Sequence, residues 1–294
     1  MITIGMIGAD STHTEAFTKL VNLPDAPLHG RAKVVKLWGE NSQQAAEKAV
    51  QCQIPTVVAD PSEVVQDVDL VMVCNRFGDD HPRYARLAIE AGRPTFVDKP
   101  FANDLEHTRT LVQLAAEKGV PIMSCSAVRY AGEVLALQTH LPSFGALTCA
   151  VTSGPATGNL PDPRAKHSFF YGIHPVELLH TLLGPGAEAV TTRRTPRCAV
   201  GLVSYPDGRQ GVINLLQNSP SLYHGIVYGE SGWGEADIRD FDRLYMGTMA
   251  QIITMAETGT PPYPIEHAVE VVAILTALLH SAENQGQTVR LGDL

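Results

Sequence analysis

The first part of the chain alternates short apolar runs with stretches in which apolar residues recur every three or four positions. The runs Ile2–Ile7, Val34–Trp38, Thr56–Val58, Leu70–Cys74 and Thr95–Val97 predict strands, and Pro121–Ser124 predicts a sixth. Between them the period predicts helices over Thr14–Leu20, Gln43–Gln51, Pro82–Ala91 and Leu105–Lys118, with a short one near Pro61–Val65. Local punctuation agrees. Asp10, Ser11 or Thr12 suits the cap of the first helix and Asn41 or Ser42 that of the second, while Gly92 and Gly119 stand where a left-handed residue ends a helix. Near-continuous apolar strands alternating with helices make a parallel sheet covered on both faces, with its ligand crevice at the carboxyl ends of the strands.

From about Leu147 strand follows strand directly: Leu147–Thr152, Ala189–Arg193, Ala199–Tyr205, Gly211–Leu216 and Gly225–Tyr228. Pro206-Asp207-Gly208 is a turn, because proline fixes φ and glycine accepts a positive one. An antiparallel sheet follows from this pattern. A helix over Ile238–Glu257, a break at Gly259–Pro262 and a second helix over Ile265–Glu283 complete the reading. In that last helix Val269, Val272, Ala273, Thr276 and Leu279 recur at three- and four-residue steps and are assigned to the core. The expected class is α/β, with a doubly wound parallel sheet over residues 1–125 and an α+β domain on an open, mostly antiparallel sheet over residues 126–294. The last helices are free to pack back on the first domain.

Composition narrows the function. Of 294 residues, 44% are hydrophobic and 18% charged, which excludes disorder and low complexity. Twenty-two basic against 31 acidic residues give a net charge of −9, so neither nucleic acid nor an anionic membrane is expected as a partner. The apolar opening Met1–Ala9 has no basic flank and meets Asp10, unlike a signal peptide or a membrane span, and a cytoplasmic protein is expected. Five cysteines, odd in number and never in a Cys-x-x-Cys pair, argue against a disulfide framework and a thiolate zinc site. The eleven histidines contain no His-x-x-x-His or His-Glu-x-x-His, and Asp79-Asp80-His81 lacks a fourth ligand, so no metal is expected. The absence of a Gly-x-Ser-x-Gly elbow disfavours a serine hydrolase.

Four segments carry candidate chemistry. In Gly8-Ala9-Asp10-Ser11-Thr12-His13, the turn after the first strand, only the first glycine of a Gly-x-Gly-x-x-Gly phosphate cradle is present, and Asp10 stands in the second glycine's place. The turn either approaches a pyrophosphate or simply caps a helix. Glu40, after the second strand, stands where a carboxylate holds a ribose diol and favours NAD over NADP, or is a solvated loop acid. In Asp98-Lys99-Pro100, Lys99 either points into the crevice, where a desolvated amine polarises a hydroxyl, or belongs to an exposed turn. In Tyr171-Gly172-Ile173-His174-Pro175-Val176-Glu177, Pro175 suits the first helical position, which places His174 at an exposed cap and Glu177 in the first turn. The histidine handles protons there or only caps and packs. Six residues on, His180 is expected to pack.

Taken together these features resemble the Gfo/Idh/MocA family, the glucose-fructose oxidoreductase and inositol dehydrogenase group. The resemblance is most specific over Val68–Arg129, where Val-Asp-Leu-Val-Met-Val precedes Asn75 and His81, Ala88-Ile89-Glu90-Ala91-Gly92-Arg93-Pro94 follows, and Asp98-Lys99-Pro100 looks like the family's Glu-Lys-Pro signature. Gly259–Pro262, Pro264–Glu270 and a short strand at Thr288–Leu291 look like its ending. The resemblance implies a Rossmann first domain that binds NAD or NADP through Gly8, Ala9, Asp10, Ser11, His13, Glu40, Asn75, His81, Asp98 and Lys99. It implies Lys99 and His174 as catalytic groups supported by Tyr171, and a small-molecule substrate met by Lys99, Arg129, Tyr130, His174 and Glu177. In the family's Asp-x-Gly-x-His-x-x-Asp segment Gly172 and His174 match, whereas Phe170 and Glu177 replace the two aspartates. The implied reaction moves a hydride between nicotinamide and a sugar, polyol or related hydroxy compound, in a homodimer or homotetramer joined through the second sheet. Phe170 and Asp10 keep open a lyase, epimerase or hydrolase that recycles or has abandoned the cofactor, and a non-catalytic ligand sensor.

Overall fold

In the computed structural model, which describes residues 1–158, 161–220, 222–241 and 243–294, the predicted apolar runs form one parallel sheet. Its strands are β1 (Ile2–Ile7), β2 (Ala32–Trp38), β3 (Thr56–Val57), β4 (Leu70–Val73), β5 (Thr95–Val97) and β6 (Ile122–Ser124). They lie in the order β3-β2-β1-β4-β5-β6, so the winding reverses between β1 and β4 and leaves a crevice beyond their carboxyl ends. Helices α1 (Thr12–Asn22), α2 (Ser42–Cys52), α3 (His81–Glu90) and α4 (Leu105–Lys118) connect the strands. Every residue of β4 is buried, which is why Leu70–Val73 reads as a continuous apolar run rather than an alternation. Each such side chain contributes about 1.5–3 kcal/mol by leaving water.

The helix ends follow from single residues. Ser11 caps α1 by accepting the His13 amide hydrogen at 3.1 Å, and Asn41 caps α2 by accepting that of Gln44 at 3.0 Å. Gly119 closes α4 at φ +64°.

The chain divides into two compact units: Met1–Cys125 with Tyr245–Glu266, and Ser126–Leu244 with His267–Leu294. Helix α7 (Leu244–Thr258) therefore belongs almost wholly to the first unit. There Arg31 pairs with Glu257 at 2.7 Å, and the Tyr245 ring packs on His13 and Phe17 with centroids 4.9 and 5.3 Å away.

The second unit is built on strands β7 (Leu147–Pro155), β8 (Ala189–Arg194), β9 (Cys198–Ser204), β10 (Gln210–Leu216), β11 (Tyr223–Gly229), β12 (Trp233–Ile238) and β13 (Val289–Arg290). Their order is β12-β11-β7-β10-β9-β8-β13, antiparallel throughout except where β7 meets β10. Helices α5 (Gly132–His140), α6 (Ile173–Leu183) and α8 (Glu266–Glu283) complete the unit. Helix α6 is buried along its whole length because glycines let it settle on the sheet. A Cβ added at Gly211 would stand 2.6 Å from Leu179 Cδ2, and one at Gly225 would stand 2.8 Å from Leu182 Cδ1.

Three expectations change. The helix expected from Ile238 starts at Leu244, because Trp233–Ile238 continues the sheet as β12; Asp242 of that expectation lies outside the described residues. Gly234, where an inward apolar residue would stand, shortens the visible alternation of β12 to Glu235–Ile238. In α8 the fully buried stripe runs through Val271, Ile274, Leu275 and Leu278, whereas Val269, Thr276 and Leu279 are half-buried. A helix apolar on most sides gives its period no clear phase. Finally, α6 begins at Ile173 with Gly172 at its cap, so His174 lies inside the first turn rather than at an exposed end. Among the described residues no helix is long and apolar enough to cross a membrane, and no cluster of His, Cys, Asp and Glu is arranged to hold a metal ion.

Candidate active site

In the first unit β1 runs into Gly8, whose φ of +108° is open to glycine and strained for other residues. A Cβ there would collide with the backbone of Asn75, so the first glycine is what lets β1 and β4 end side by side. Ala9 is pressed against Gly39, which brings Glu40 beside the turn. The exposed Glu40 carboxylate accepts the Tyr84 hydroxyl at 3.0 Å, and the buried Tyr84 ring leans on Trp38 at 5.0 Å. Burial, then Glu40 itself, push the Tyr84 phenol well up, so it stays a donor.

Asp10, in the second glycine's place, is held by the loop after β4. Its carboxylate accepts the Arg76 amide hydrogen at 3.2 and 3.3 Å, and the Arg76 guanidinium donates to the Asp10 carbonyl, through Nε at 2.8 Å and through a second nitrogen. Lys48 donates to the Ser11 carbonyl at 2.6 Å. Two cations thus flank the one carboxylate of the turn. Asn75 is buried, and its Oδ1 has no hydrogen-bond partner among the described residues. The glycine turn, the amide-rich start of α1, the orphan Asn75 acceptor and the Glu40 carboxylate fit a dinucleotide.

At the end of β5 the exposed-turn alternative fails: Asp98 and Lys99 are only 4% and 6% exposed. Asp98 Oδ1 accepts the Lys99 amide hydrogen at 2.8 Å, and Oδ2 lies 2.6 Å from Nδ1 of His13, the residue in the third glycine's place. Burial favours the neutral acid, but His13 and Lys99 outweigh it and hold Asp98 below the usual carboxylate range. Burial pulls the Lys99 ammonium down; Asp98 opposes that and Arg76 adds to it. The Lys99–Pro100 peptide is cis. Buried His81 spans the adjoining loops, with Nδ1 2.7 Å from the Pro100 carbonyl and Nε2 2.8 Å from that of Asn75. Both its nitrogens face backbone, so it braces the loops.

In the second unit the helical turn Ala127–Tyr130 meets the start of α6. His174 is 6% exposed; its Nδ1 lies 2.6 Å from Ser126 Oγ, and its ring packs near those of Tyr171 and Tyr223, 5.8 and 4.9 Å away. Arg129 Nε donates to the Glu177 carboxylate, and another guanidinium nitrogen lies 3.3 Å from His180 Nδ1. Arg129 and Glu177 therefore form a buried ion pair, and half-buried Tyr130 follows on the same turn. His180 is indeed packed. Burial, then the charges of Arg129 and His267, lower its pKa to about 3.

Sequence reasoning missed Arg76, Tyr84 and Ser126. Arg76 and Tyr84 carried no local signal, since their partners lie 66 and 44 positions away. Ser126 carried a weak one, as the cap of the turn it opens by accepting the Val128 amide hydrogen.

Residues 2–125 match the model of the Gfo/Idh/MocA family, described as an oxidoreductase family with an NAD-binding Rossmann fold. The inositol 2-dehydrogenase of Paracoccus denitrificans is 31% identical over 148 residues, which cover 47% of this chain and 43% of that protein. The chain thus spans less than half the length of that relative, and 40% of a similar dehydrogenase from Aspergillus oryzae. Among solved structures, a probable dehydrogenase from Thermotoga maritima matches with a TM-score of 0.86 at 16% identity over 99% of each chain. The myo-inositol dehydrogenase of Lactobacillus casei, solved with NAD(H) and myo-inositol, matches with a TM-score of 0.83 at 17% identity over 99% of this chain and 96% of that one. At these identities the structural likeness is one of fold. The likeness to the Gfo/Idh/MocA oxidoreductase family therefore rests on residues 2–125, the parallel sheet with a lysine buried at its carboxyl edge.

Proposed function

We propose that this protein is an NAD(P)-dependent oxidoreductase interconverting a hydroxyl of a sugar, polyol or related hydroxy compound with the corresponding carbonyl. The observation that carries the reading is the buried Asp98–Lys99 pair at the end of β5, in the sheet that matches an NAD-binding family. The nicotinamide, when bound, supplies the two-electron hydride acceptor or donor. Gly8, Ala9, Ser11 and the start of α1 hold the cofactor's pyrophosphate, with Arg76 offsetting the charge of Asp10. Glu40 accepts hydrogen bonds from the ribose diol and favours NAD over NADP. Asn75 offers an acceptor to the cofactor, and His81 and the His13–Asp98 pair fix the walls around it.

His174 takes the substrate hydroxyl's proton at Nε2, and the Lys99 ammonium stabilises the developing alkoxide. Tyr171 adds a hydroxyl beside His174. Arg129 and Glu177 set the position of the turn on which Tyr130 meets substrate. The name of the Paracoccus relative makes inositols the first compounds to test.

The test is turnover with NAD and NADP against a panel of inositols and sugars. Lys99→Ala should lower turnover by a factor of about 10² to 10⁴, the range for a lost proton-handling group, with NAD affinity retained. Undiminished turnover in that variant would refute the assignment.

The assembly we infer is a homodimer or homotetramer joined through the second sheet. Leu202, Val212, Val151 and Ile226 are cross-strand neighbours in one apolar row, Leu202 is 47% exposed, and Trp233 at the sheet edge is 62% exposed. Light scattering should find an oligomer that Leu202→Lys weakens; a monomer at all concentrations contradicts it.

A further inference from the structure

We propose that Ser126 is the positioning residue for His174, holding the imidazole through Nδ1 by donating to or accepting from that nitrogen according to the tautomer of the ring. This rests on reading His174 as the proton-handling group. Ser126 is fully buried, and its Oγ lies 2.6 Å from His174 Nδ1. Its backbone amide points at Glu177 Oε2, 3.5 Å away, and Glu177 in turn holds Arg129. Two side chains three apart on the turn, Ser126 and Arg129, thus face two side chains three apart on α6, His174 and Glu177. The hydroxyl is fixed from both sides.

The chemistry follows from counting hydrogens and lone pairs. A serine hydroxyl has one hydrogen and two lone pairs. One lone pair accepts the Val128 amide hydrogen at 3.2 Å, which leaves one hydrogen and one lone pair for Nδ1. When Nδ1 is bare, the hydroxyl donates to it and Nε2 carries the ring hydrogen. When Nδ1 is protonated, the hydroxyl accepts from it and Nε2 carries the lone pair that takes a proton. After that transfer both nitrogens are protonated and the bond from Nδ1 to Oγ persists. A carboxylate at Nδ1 only accepts, which locks one tautomer and favours the cation. In this chain Glu177, the carboxylate that reaches the Ser126 amide, is bonded to Arg129. Around the ring stand Tyr171 and Tyr223, with Glu177 and Arg129 beyond Ser126, and the hydroxyl can bond Nδ1 in both of its states.

The experiment uses the full chain labelled with ¹⁵N-histidine, with the His174 signals identified by their loss in His174→Gln. In the unaltered protein, long-range ¹H–¹⁵N spectra should show a hydrogen-bonded Nδ1 on a ring protected from exchange; the signature of a freely exchanging imidazole overturns the proposal. Ser126→Ala should change the ratio of the two tautomers, displace the pH profile of kcat with myo-inositol and NAD, and lower kcat by about tenfold to a hundredfold. The KM for NAD should stay unchanged, and Ser126→Thr, which keeps a hydroxyl, should restore kcat to within a few-fold. Unchanged tautomers and pH profile in Ser126→Ala overturn it. If His174→Gln turns over normally while Ser126→Ala still alters the His174 spectrum, the catalytic reading fails and the positioning role stands.

Discussion

His13 Nδ1 lies 2.6 Å from Asp98 Oδ2, so an imidazole in the place of a glycine reaches from the first turn of α1 to the carboxylate beside Lys99. In a glycine-rich turn that position lets helix and sheet approach closely. Here the space holds a polar contact instead, and the loop after β1 becomes coupled to the end of β5.

That coupling makes the charge of Asp98 measurable through its neighbour. Lys99 is already below the ordinary lysine value because it is buried, and Asp98 opposes the fall. Replacing Asp98 by Asn removes the opposing charge, so Lys99 should lose its proton at still lower pH. The limb of the kcat/KM profile that reports the lysine should move towards acid. A move towards alkali would contradict the role given to Asp98.

Gly8 admits no side chain. An alanine there faces a φ of +108° and the Asn75 backbone, which costs on the order of 1–3 kcal/mol of stability. Gly8→Ala should lower the melting temperature and abolish NAD binding by calorimetry. A variant that melts and binds like the parent would show that the turn does not hold the cofactor.

Cofactor choice should depend on Glu40 and, through it, on Tyr84. A carboxylate facing a 2′-phosphate at contact distance disfavours NADP by a few kcal/mol at an effective dielectric of ~20. Glu40→Ser should therefore raise the ratio of NADP to NAD efficiency by about tenfold or more. Tyr84→Phe frees the carboxylate from the 3.0 Å bond and should move the ratio the same way by less. Unaltered ratios in both variants would remove Glu40 from the ribose site.

The buried His180 predicts part of the acid sensitivity. Its pKa falls from 6.5 to about 3 on folding, so between these values the unfolded chain binds the extra proton. Stability from this group is complete above pH 6.5 and is lost as pH falls towards 3, at most about 1.4 kcal/mol per pH unit. His180→Gln should flatten the melting temperature over that interval, and an equally steep decline would assign the acid limb elsewhere.

Legibility in the sequence followed the range of the interactions. Leu105–Lys118 could be read from its apolar period and from Gly119 after it, a local stop signal, and the structure adds Asp104 as the cap of its first turn. Leu70–Val73 was plain because burial on both faces demands an unbroken apolar run. Residue types at the strand ends could be read from the sequence, yet their pairings could not. Asp10 meets Arg76 across 66 positions, and Ser126 meets His174 across 48, distances over which no period or cap speaks. The placement of His174 went astray for a related reason: Pro175 suits the first helical position, but α6 starts two residues earlier, at Ile173.

The return of residues 245–266 to the first unit bears on how this protein is made. A ribosome releases the six parallel strands long before α7, yet the buried Ile252, Ile253 and Met255 of that helix and its Arg31–Glu257 pair belong to the same body. The nascent Rossmann sheet must wait, partly uncovered, while over a hundred further residues are synthesised. A gene fragment cut after Cys125 would encode every strand of that sheet and still lack a wall.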